Sequence, residues 1–129
     1  MNIPNNLKYT KDHEWIKVDG NIGFIGITDF AQSELGDIVF VDIKPNLTEI
    51  KMNEPFGTIE AVKTVSDLYA PVDGKLLEIN PKINNEPQLI NSDPYGEGWI
   101  IKIELTNPAQ LNELLDADAY KSQLGWLYD

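Results

Sequence analysis

Short segments in which apolar and polar residues alternate dominate the first 105 residues. A two-residue period is typical of strands that bury one face in a core. Ile16 and Val18 share one face of the first such segment, and Asp19-Gly20 after it predicts a two-residue hairpin turn. Strands are predicted over residues 13–18, 22–27, 37–43, 55–62, 65–70, 75–79 and 99–105.

Helix signals are fewer and lie between or after the strands. Thr28 or Asp29 can cap a short helix that continues through Leu35 and ends at Gly36. The segment 80–98 is rich in Asn, Pro and Gly, and we expect a long loop there.

The last quarter of the chain changes to a helical period. Asn107 is the expected cap and Pro108 the first residue of a helix that carries Leu111, Leu114 and Leu115. Asp116 or Asp118 caps a second helix that ends near Gly125, so the C-terminal helices cover about residues 107–125. Many short strands with peripheral helices predict a mainly β fold, a small sandwich or barrel, in one domain over residues 1–129.

Composition excludes several classes of chemistry. The 129 residues are 42% hydrophobic and contain no cysteine and one histidine, His13. Disulfides, thiolate metal sites, cysteine nucleophiles and multi-histidine metal sites are therefore excluded. No apolar run approaches the roughly 20 residues that span a bilayer. The N-terminal residues lack the apolar core of a secretion signal and the arginines of a transit peptide, so we expect a cytoplasmic protein, or a mitochondrial-matrix one if a transit peptide had been removed.

The charge is strongly acidic. The formal net charge is −11, and all ten basic residues are lysines. Such a surface repels nucleic acid and anionic membranes, so neither is an expected partner. Two explanations of the acidity stay open at this point, namely solubility and docking to partners with basic entrances.

Lys63 lies alone between two apolar, strand-like runs over residues 56–62 and 65–70. A turn between such strands points its side chains into solvent. Lysines at hairpin tips are common, however, and this spacing by itself assigns Lys63 no special role.

Five sequence blocks, in order, cover the chain almost from end to end. They are LKYTKDHEW at 7–15, GITDFAQSELGDIVFVDI at 26–43, EAVKTVSDLYAPVDG at 60–74, NSDPYGEGWIIKI at 91–103 and ELLDADAY at 113–120. With these blocks the chain closely resembles the glycine cleavage H protein family. The family motif ESVK-x-x-SD corresponds to residues 60–67, and the one departure, Ala61 in place of a common serine, leaves Lys63 in place.

The resemblance implies a fold and a cofactor. The fold is a lipoyl-domain-like barrel-sandwich hybrid of two antiparallel sheets with short helices, which agrees with the strand pattern. The cofactor is lipoate, bound covalently as lipoyl-lysine at Lys63. A hairpin on a rigid sheet fixes the base of a long, mobile arm, and the lipoyl sulfurs supply chemistry that a chain without cysteine lacks.

The resemblance also implies a carrier without catalytic activity of its own. Its lipoyl-lysine would accept an aminomethyl group from a pyridoxal-phosphate glycine decarboxylase and deliver it to a tetrahydrofolate-dependent aminomethyltransferase. Dihydrolipoamide dehydrogenase would then reoxidise the arm, and a lipoate-attaching enzyme would load it first. We expect the carrier itself to be a monomer.

Acidic residues near the arm are candidates for holding its cargo. The aminomethyl group carries a protonated, labile amine, which a carboxylate can bind. Glu14, in the first matched block, and Asp67, four residues after Lys63, are the stronger candidates, and Asp12 and Glu34 are the weaker ones. Each is otherwise an ordinary solvated carboxylate.

The other distinctive side chains favour structural roles. His13 has a possible acid–base role, but a polar residue bonded at the start of a strand is the favoured interpretation. We expect Trp15, Trp99 and Trp126 in the core or under a docked helix.

Three other classes of function share some of these features. A relay protein that passes octanoyl or lipoyl groups to other lipoyl domains would also use Lys63, so the sequence leaves this function open. A dehydrogenase lipoyl domain would lack the C-terminal helices, and a biotin carrier would flank the lysine with methionines, where this chain has Val62 and Thr64. An enzyme with an acidic metal site lacks a dense cluster of ligands in the sequence.

Overall fold

Nine short strands form two antiparallel sheets in the computed structural model, which describes residues 1–125. The larger sheet has the order β1-β2-β3-β9-β8-β5, and the smaller has the order β4-β6-β7. The predicted mainly β fold of two antiparallel sheets with short helices is confirmed. The strands are β1 (Lys8–Tyr9), β2 (Glu14–Asp19), β3 (Ile22–Ile27), β4 (Ile38–Ile43), β5 (Glu49–Ile50), β6 (Pro55–Ala61), β7 (Val65–Tyr69), β8 (Gly74–Ile79) and β9 (Ile101–Leu105).

Four short α-helices and one 3₁₀ helix lie between or after the strands of residues 1–125. The α-helices are α1 (Asp29–Leu35), α2 (Lys82–Asn85), α3 (Leu89–Ser92) and α4 (Ala117–Leu124), and the 3₁₀ helix is Pro108–Glu113. None of the helices in this part of the chain is long and apolar enough to cross a membrane. Two predicted caps are confirmed, since the side chains of Thr28 and Asp116 accept hydrogen bonds from the first turns of α1 and α4.

The predicted helix from Pro108 through Leu115 is confirmed only in its start at Pro108, because it is a short 3₁₀ helix. The 3₁₀ helix ends at Glu113, and Asn107 makes no capping hydrogen bond with its side chain. Leu115 instead exchanges two backbone hydrogen bonds of 2.8 Å with Tyr9. Pairing with β1 therefore overrides the helical spacing of the leucines.

Two loop predictions also need correction. The hairpin turn between β2 and β3 consists of Gly20 and Asn21 rather than Asp19-Gly20, and Gly20 has a φ of +62°. The segment 80–98 is not a continuous loop, because it contains α2 and α3. Ile83 and Ile90 anchor these two helices in the core. The two-residue strands β1 and β5 were not predicted, since two residues show no period.

Two apolar clusters hold the elements together. The larger lies between the sheets and includes Ile25, Ile59 and Ile103. The smaller packs the C-terminal helix against the outer part of the large sheet, through Tyr9, Trp15, Tyr120 and further apolar residues. Trp15 is buried and Trp99 packs at the edge of this second cluster, whereas Trp126 lies outside the described residues. The second cluster fixes the loop before β2, which is part of the site described next.

Candidate functional site

Lys63 lies at the tip of a tight hairpin between β6 and β7. The turn consists of residues 62–64 and is closed by a 2.8 Å hydrogen bond from Ala61 N to Thr64 O. A second bond, from Val62 N to Asp37 O at 3.0 Å, ties the turn to the connection between α1 and β4. The Lys63 side chain is exposed. The amine is thus accessible while its backbone is held on two sides.

The Lys63 side chain lies beside the end of α1. Gly36 closes that helix with a φ of +78°, and a Cβ built on it would lie 3.6 Å from Lys63 Cε and 4.0 Å from Nζ. Asn91 of α3 fixes this region, because it donates to Gly36 O (2.9 Å) and Gln32 Oε1 (3.0 Å) and accepts from Ile38 N (2.9 Å). The Lys63 side chain therefore lies against a well-fixed segment, the last turn of α1.

A cavity of about 170 Å³ lies between α1, β7 and the loop before β2. Leu35 lines it, and the next residue, Gly36, is the one that the Lys63 side chain lies beside. The structure brings all four predicted carboxyl residues to this one cavity: Asp12, Glu14, Glu34 and Asp67. Its apolar wall consists mainly of Ile27, Phe30, Leu35, Ile59 and Leu68.

Glu14 is the unusual member of the four because it is buried, with 2% of its surface exposed. Its two carboxyl oxygens accept hydrogen bonds from Thr10 Oγ1 (2.8 Å) and Tyr69 N (3.3 Å). Within residues 1–125 no lysine lies at ion-pair distance from it. Burial raises the pKa of Glu14 from 4.5 to about 8, against the opposing effect of the two hydrogen bonds. A cation that entered the cavity would supply the missing counter-charge.

The other three carboxylates are exposed at the cavity mouth. Asp67 accepts a long hydrogen bond of 3.4 Å from the hydroxyl of Tyr69. Asp12 and Glu34 accept no hydrogen bond in the described part of the chain and act through charge, as shown by their upward effect on the pKa of His13. The mouth of the cavity is therefore acidic and exposed to solvent, whereas its interior is apolar and contains one carboxyl group, that of Glu14.

His13 is part of the same cavity wall. It precedes β2 with a φ of +72°, its Nδ1 lies 2.8 Å from the hydroxyl of Tyr120, and its ring lies 4.7 Å from that of Phe30. The predicted structural role, a polar residue bonded at the start of a strand, fits these contacts. Its place in the cavity wall was not predicted from the sequence.

Besides His13 and the apolar wall, three polar contributors to the site were not predicted from the sequence. Thr10 and the backbone N–H of Tyr69 bind Glu14, and Ser66 lines the cavity. Thr10 and Ser66 do stand inside two matched blocks, four residues before Glu14 and one before Asp67, so their position was the available signal. A backbone donor carries no sequence signal at all.

Comparison with known proteins identifies relatives along nearly the whole chain. A family model described as "Glycine cleavage H-protein" matches residues 7–125. The glycine cleavage system H protein of Symbiobacterium thermophilum is 61% identical over 119 residues, which are 92% of this chain and 93% of that protein. That of Chlorobium limicola is 58% identical over 127 residues, 97% of this chain and 99% of its own.

A solved structure agrees with the fold. The crystal structure of a glycine cleavage system H protein from Mycobacterium marinum superposes with a TM-score of 0.85 and 39% sequence identity. It covers 95% of this chain, and 99% of that protein is matched.

Proposed function

The chain belongs to the glycine cleavage H-protein family and is a lipoyl carrier, a non-catalytic component of the glycine cleavage system; from this premise we propose that Lys63 bears the lipoyl group. The observation that supports this assignment most strongly is an exposed lysine on a doubly tied hairpin beside a cavity. When attached, the lipoyl group supplies disulfide–dithiol chemistry, which a chain without cysteine cannot supply itself.

The surroundings of Lys63 fit such a group. The amine is exposed, so an attaching enzyme can reach it, and Val62 beside it is 75% exposed. The hairpin backbone is bonded to its own strand and to Asp37, so the base of the arm stays fixed while its end moves. The apolar wall of the neighbouring cavity matches the hydrocarbon part of the arm in character.

We propose that the cavity holds the arm between encounters with partner enzymes and favours its loaded state. The cargo is a protonated amine, and the buried carboxyl group of Glu14 has no cationic partner in residues 1–125. A charge-assisted hydrogen bond shielded from water contributes about 1.5–3 kcal/mol. The acidic mouth, with Asp12, Glu34 and Asp67, adds attraction for a cation before it enters.

The complete cycle is part of the proposal. The carrier receives the aminomethyl group from the pyridoxal-phosphate glycine decarboxylase and delivers it to the tetrahydrofolate-dependent aminomethyltransferase. Dihydrolipoamide dehydrogenase restores the oxidised arm, and a lipoate-attaching enzyme modifies Lys63 beforehand. Residues 1–129 act as one carrier domain, in the cytoplasm, a compartment that the bacterial origin of the relatives favours.

The experiment measures protection of the cargo. Lipoylated wild type, Glu14→Gln and Asp67→Asn are loaded with the aminomethyl group, and ammonia release is followed without the aminomethyltransferase. Loss of the Glu14 contact should accelerate release by about tenfold, because 1.4 kcal/mol corresponds to a factor of ten. Asp67→Asn should have a smaller effect, since Asp67 is exposed.

The matched control is Glu78→Gln, which neutralises an exposed carboxylate of β8 that does not line the cavity. It should release ammonia at the wild-type rate. Equal rates in wild type, both cavity variants and the control would mean that the arm swings free of the cavity. Attachment at Lys63 would stand in that case, and the holding role would not.

A further inference from the structure

A chain of buried hydroxyl groups connects the C-terminal helix with the cavity. Thr28 Oγ1, the cap of α1, accepts a hydrogen bond from Ala31 N at 3.2 Å and lies 2.8 Å from the hydroxyl of Tyr120. That hydroxyl in turn lies 2.8 Å from His13 Nδ1. Thr28 and Tyr120 are both fully buried. Within residues 1–125 these atoms are the only hydrogen-bond partners of the two hydroxyl groups.

The available hydrogens and acceptors determine which group donates in each of these hydrogen bonds. Thr28 already accepts from Ala31, and among the described residues the only acceptor for its own hydrogen is the Tyr120 oxygen. The hydrogen of Tyr120 then has one acceptor left, His13 Nδ1. The reverse direction, from His13 to Tyr120 to Thr28, would leave the buried hydrogen of Thr28 without an acceptor, which is unfavourable. His13 Nδ1 is therefore an acceptor, and the ring proton is on Nε2.

Protonation of His13 would break this arrangement. Nδ1 would then become a donor, Tyr120 would have to turn its hydrogen to Thr28, and the Thr28 hydrogen would lose its acceptor. Burial raises the pKa of Tyr120 well above its ordinary value, so Tyr120 stays protonated and cannot resolve the conflict. Burial also lowers the pKa of His13, although the charges of Asp12 and Glu34 act in the opposite direction.

We propose that Tyr120 and Thr28 are positioning residues that hold His13 as the uncharged tautomer with its proton on Nε2, so that the cavity wall presents carboxyl groups and no cation. The inference rests on the proposed holding function. The titratable groups around the ring are Asp12 and Glu14 beside it in sequence, Glu34 from α1, Asp67 from β7 and Tyr120 from α4. A charged His13 would pair with these carboxylates and repel a cationic cargo.

The tautomer can be measured directly because His13 is the only histidine of the chain. Histidine-selective ¹⁵N labelling of the full, lipoylated protein gives one ring, whose two nitrogen shifts report which nitrogen is protonated. We expect a protonated Nε2 and an unprotonated Nδ1 in wild type at neutral pH. In Tyr120→Phe the titration midpoint of His13 should move to higher pH by about one pH unit, since the bond to the neutral form is lost.

Two variants keep the test independent of folding. Tyr9 is a buried tyrosine whose ring stacks on that of Tyr120, with the ring centroids 4.7 Å apart. Its hydroxyl donates to Pro4 O and is not part of the chain of hydroxyl groups, so Tyr9→Phe is the matched control. It should leave the His13 midpoint unchanged. Thr28→Ser keeps the hydroxyl and should behave as wild type. Thermal unfolding checks that each variant is folded at the temperature of the titration.

Ammonia release from the loaded protein tests the consequence. Near pH 6, Tyr120→Phe should lose the cargo several-fold faster than Tyr9→Phe, and near pH 8 the two should be equal. A proton on Nδ1 in wild type, or the same His13 midpoint in both tyrosine variants, overturns the proposal. If Glu14→Gln accelerates release but Tyr120→Phe does not, the proposal that Tyr120 and Thr28 keep His13 uncharged for the cargo is overturned, and the holding function stands. If neither variant changes release, the holding function itself fails.

Discussion

The buried carboxyl group of Glu14 should make the protein less stable as the pH rises, and Glu14→Gln should remove this dependence. Glutamine has the shape of the protonated acid but cannot ionise. Glu14 is 2% exposed, and its carboxyl group has no lysine within ion-pair distance in residues 1–125. Its pKa is raised from 4.5 to about 8 in the folded protein by burial.

The magnitude and sign of this pH dependence of the free energy of unfolding follow from proton linkage. Below about pH 4.5 the carboxyl group is protonated in both states and costs no stability. Between about pH 4.5 and 8 only the unfolded chain loses the proton, so the free energy of unfolding falls by about 1.4 kcal/mol per pH unit. The loss is complete above about pH 8 and amounts to at most about 5 kcal/mol for this pKa difference.

The assay is guanidinium chloride unfolding of wild type and Glu14→Gln at several values between pH 5 and pH 9. The difference between the two free energies of unfolding cancels the contributions of all other titrating groups. We expect it to shift in favour of the variant by several kcal/mol between pH 5 and pH 8. Any cost of misplaced hydrogen bonds to Thr10 or Tyr69 adds a constant offset, so the change with pH is the decisive quantity. A difference that stays constant across this range would contradict the raised pKa of Glu14.

Further predictions concern other parts of the molecule. Lys63→Arg should fold with a free energy of unfolding within about 0.5 kcal/mol of wild type by denaturant titration, because the side chain is exposed; a large loss would mean that Lys63 supports the hairpin. Gly57→Ala should destabilise the protein by about 1–3 kcal/mol in denaturant titration, since the new Cβ would lie 2.5 Å from Asp42 O; an unchanged free energy of unfolding would contradict this close approach. The association rate with the decarboxylase or the aminomethyltransferase should fall as salt rises, given the net charge of −11; a rate independent of salt in stopped-flow measurements would leave solubility as the reason for the acidity.

Local signals in the sequence were sufficient for most of the strands and for the caps of α1 and α4. Alternation along β9 put Ile101, Ile103 and Leu105 on one face, and all three are buried. Predictions were wrong where a distant partner decides the structure. Leucines at helical spacing after Pro108 do not form an α-helix through Leu115, because Leu115 pairs with Tyr9.

In the candidate site, too, some features have a local sequence signal and others depend on distant parts of the chain. Lys63 and the four carboxyl residues were predicted as candidates from the resemblance to the family, and membership of the family is confirmed by relatives along nearly the whole chain. The burial of Glu14, by contrast, depends on the packing of α1 and β7 around it. The contact between His13 and Tyr120 joins residues 107 positions apart, and no periodicity or spacing could have predicted it.

The attachment of lipoate to Lys63 is the central claim, and peptide mapping by mass spectrometry tests it most directly. Protein from its native host, or modified by a lipoate-attaching enzyme, is digested and each lysine-containing peptide is examined. We predict one lipoyl group, on the peptide that contains Lys63, and none on any peptide of Lys63→Arg, since arginine cannot form the amide. A lipoyl group on another exposed lysine, such as Lys51 or Lys75, or modification that persists in Lys63→Arg, would contradict the assignment.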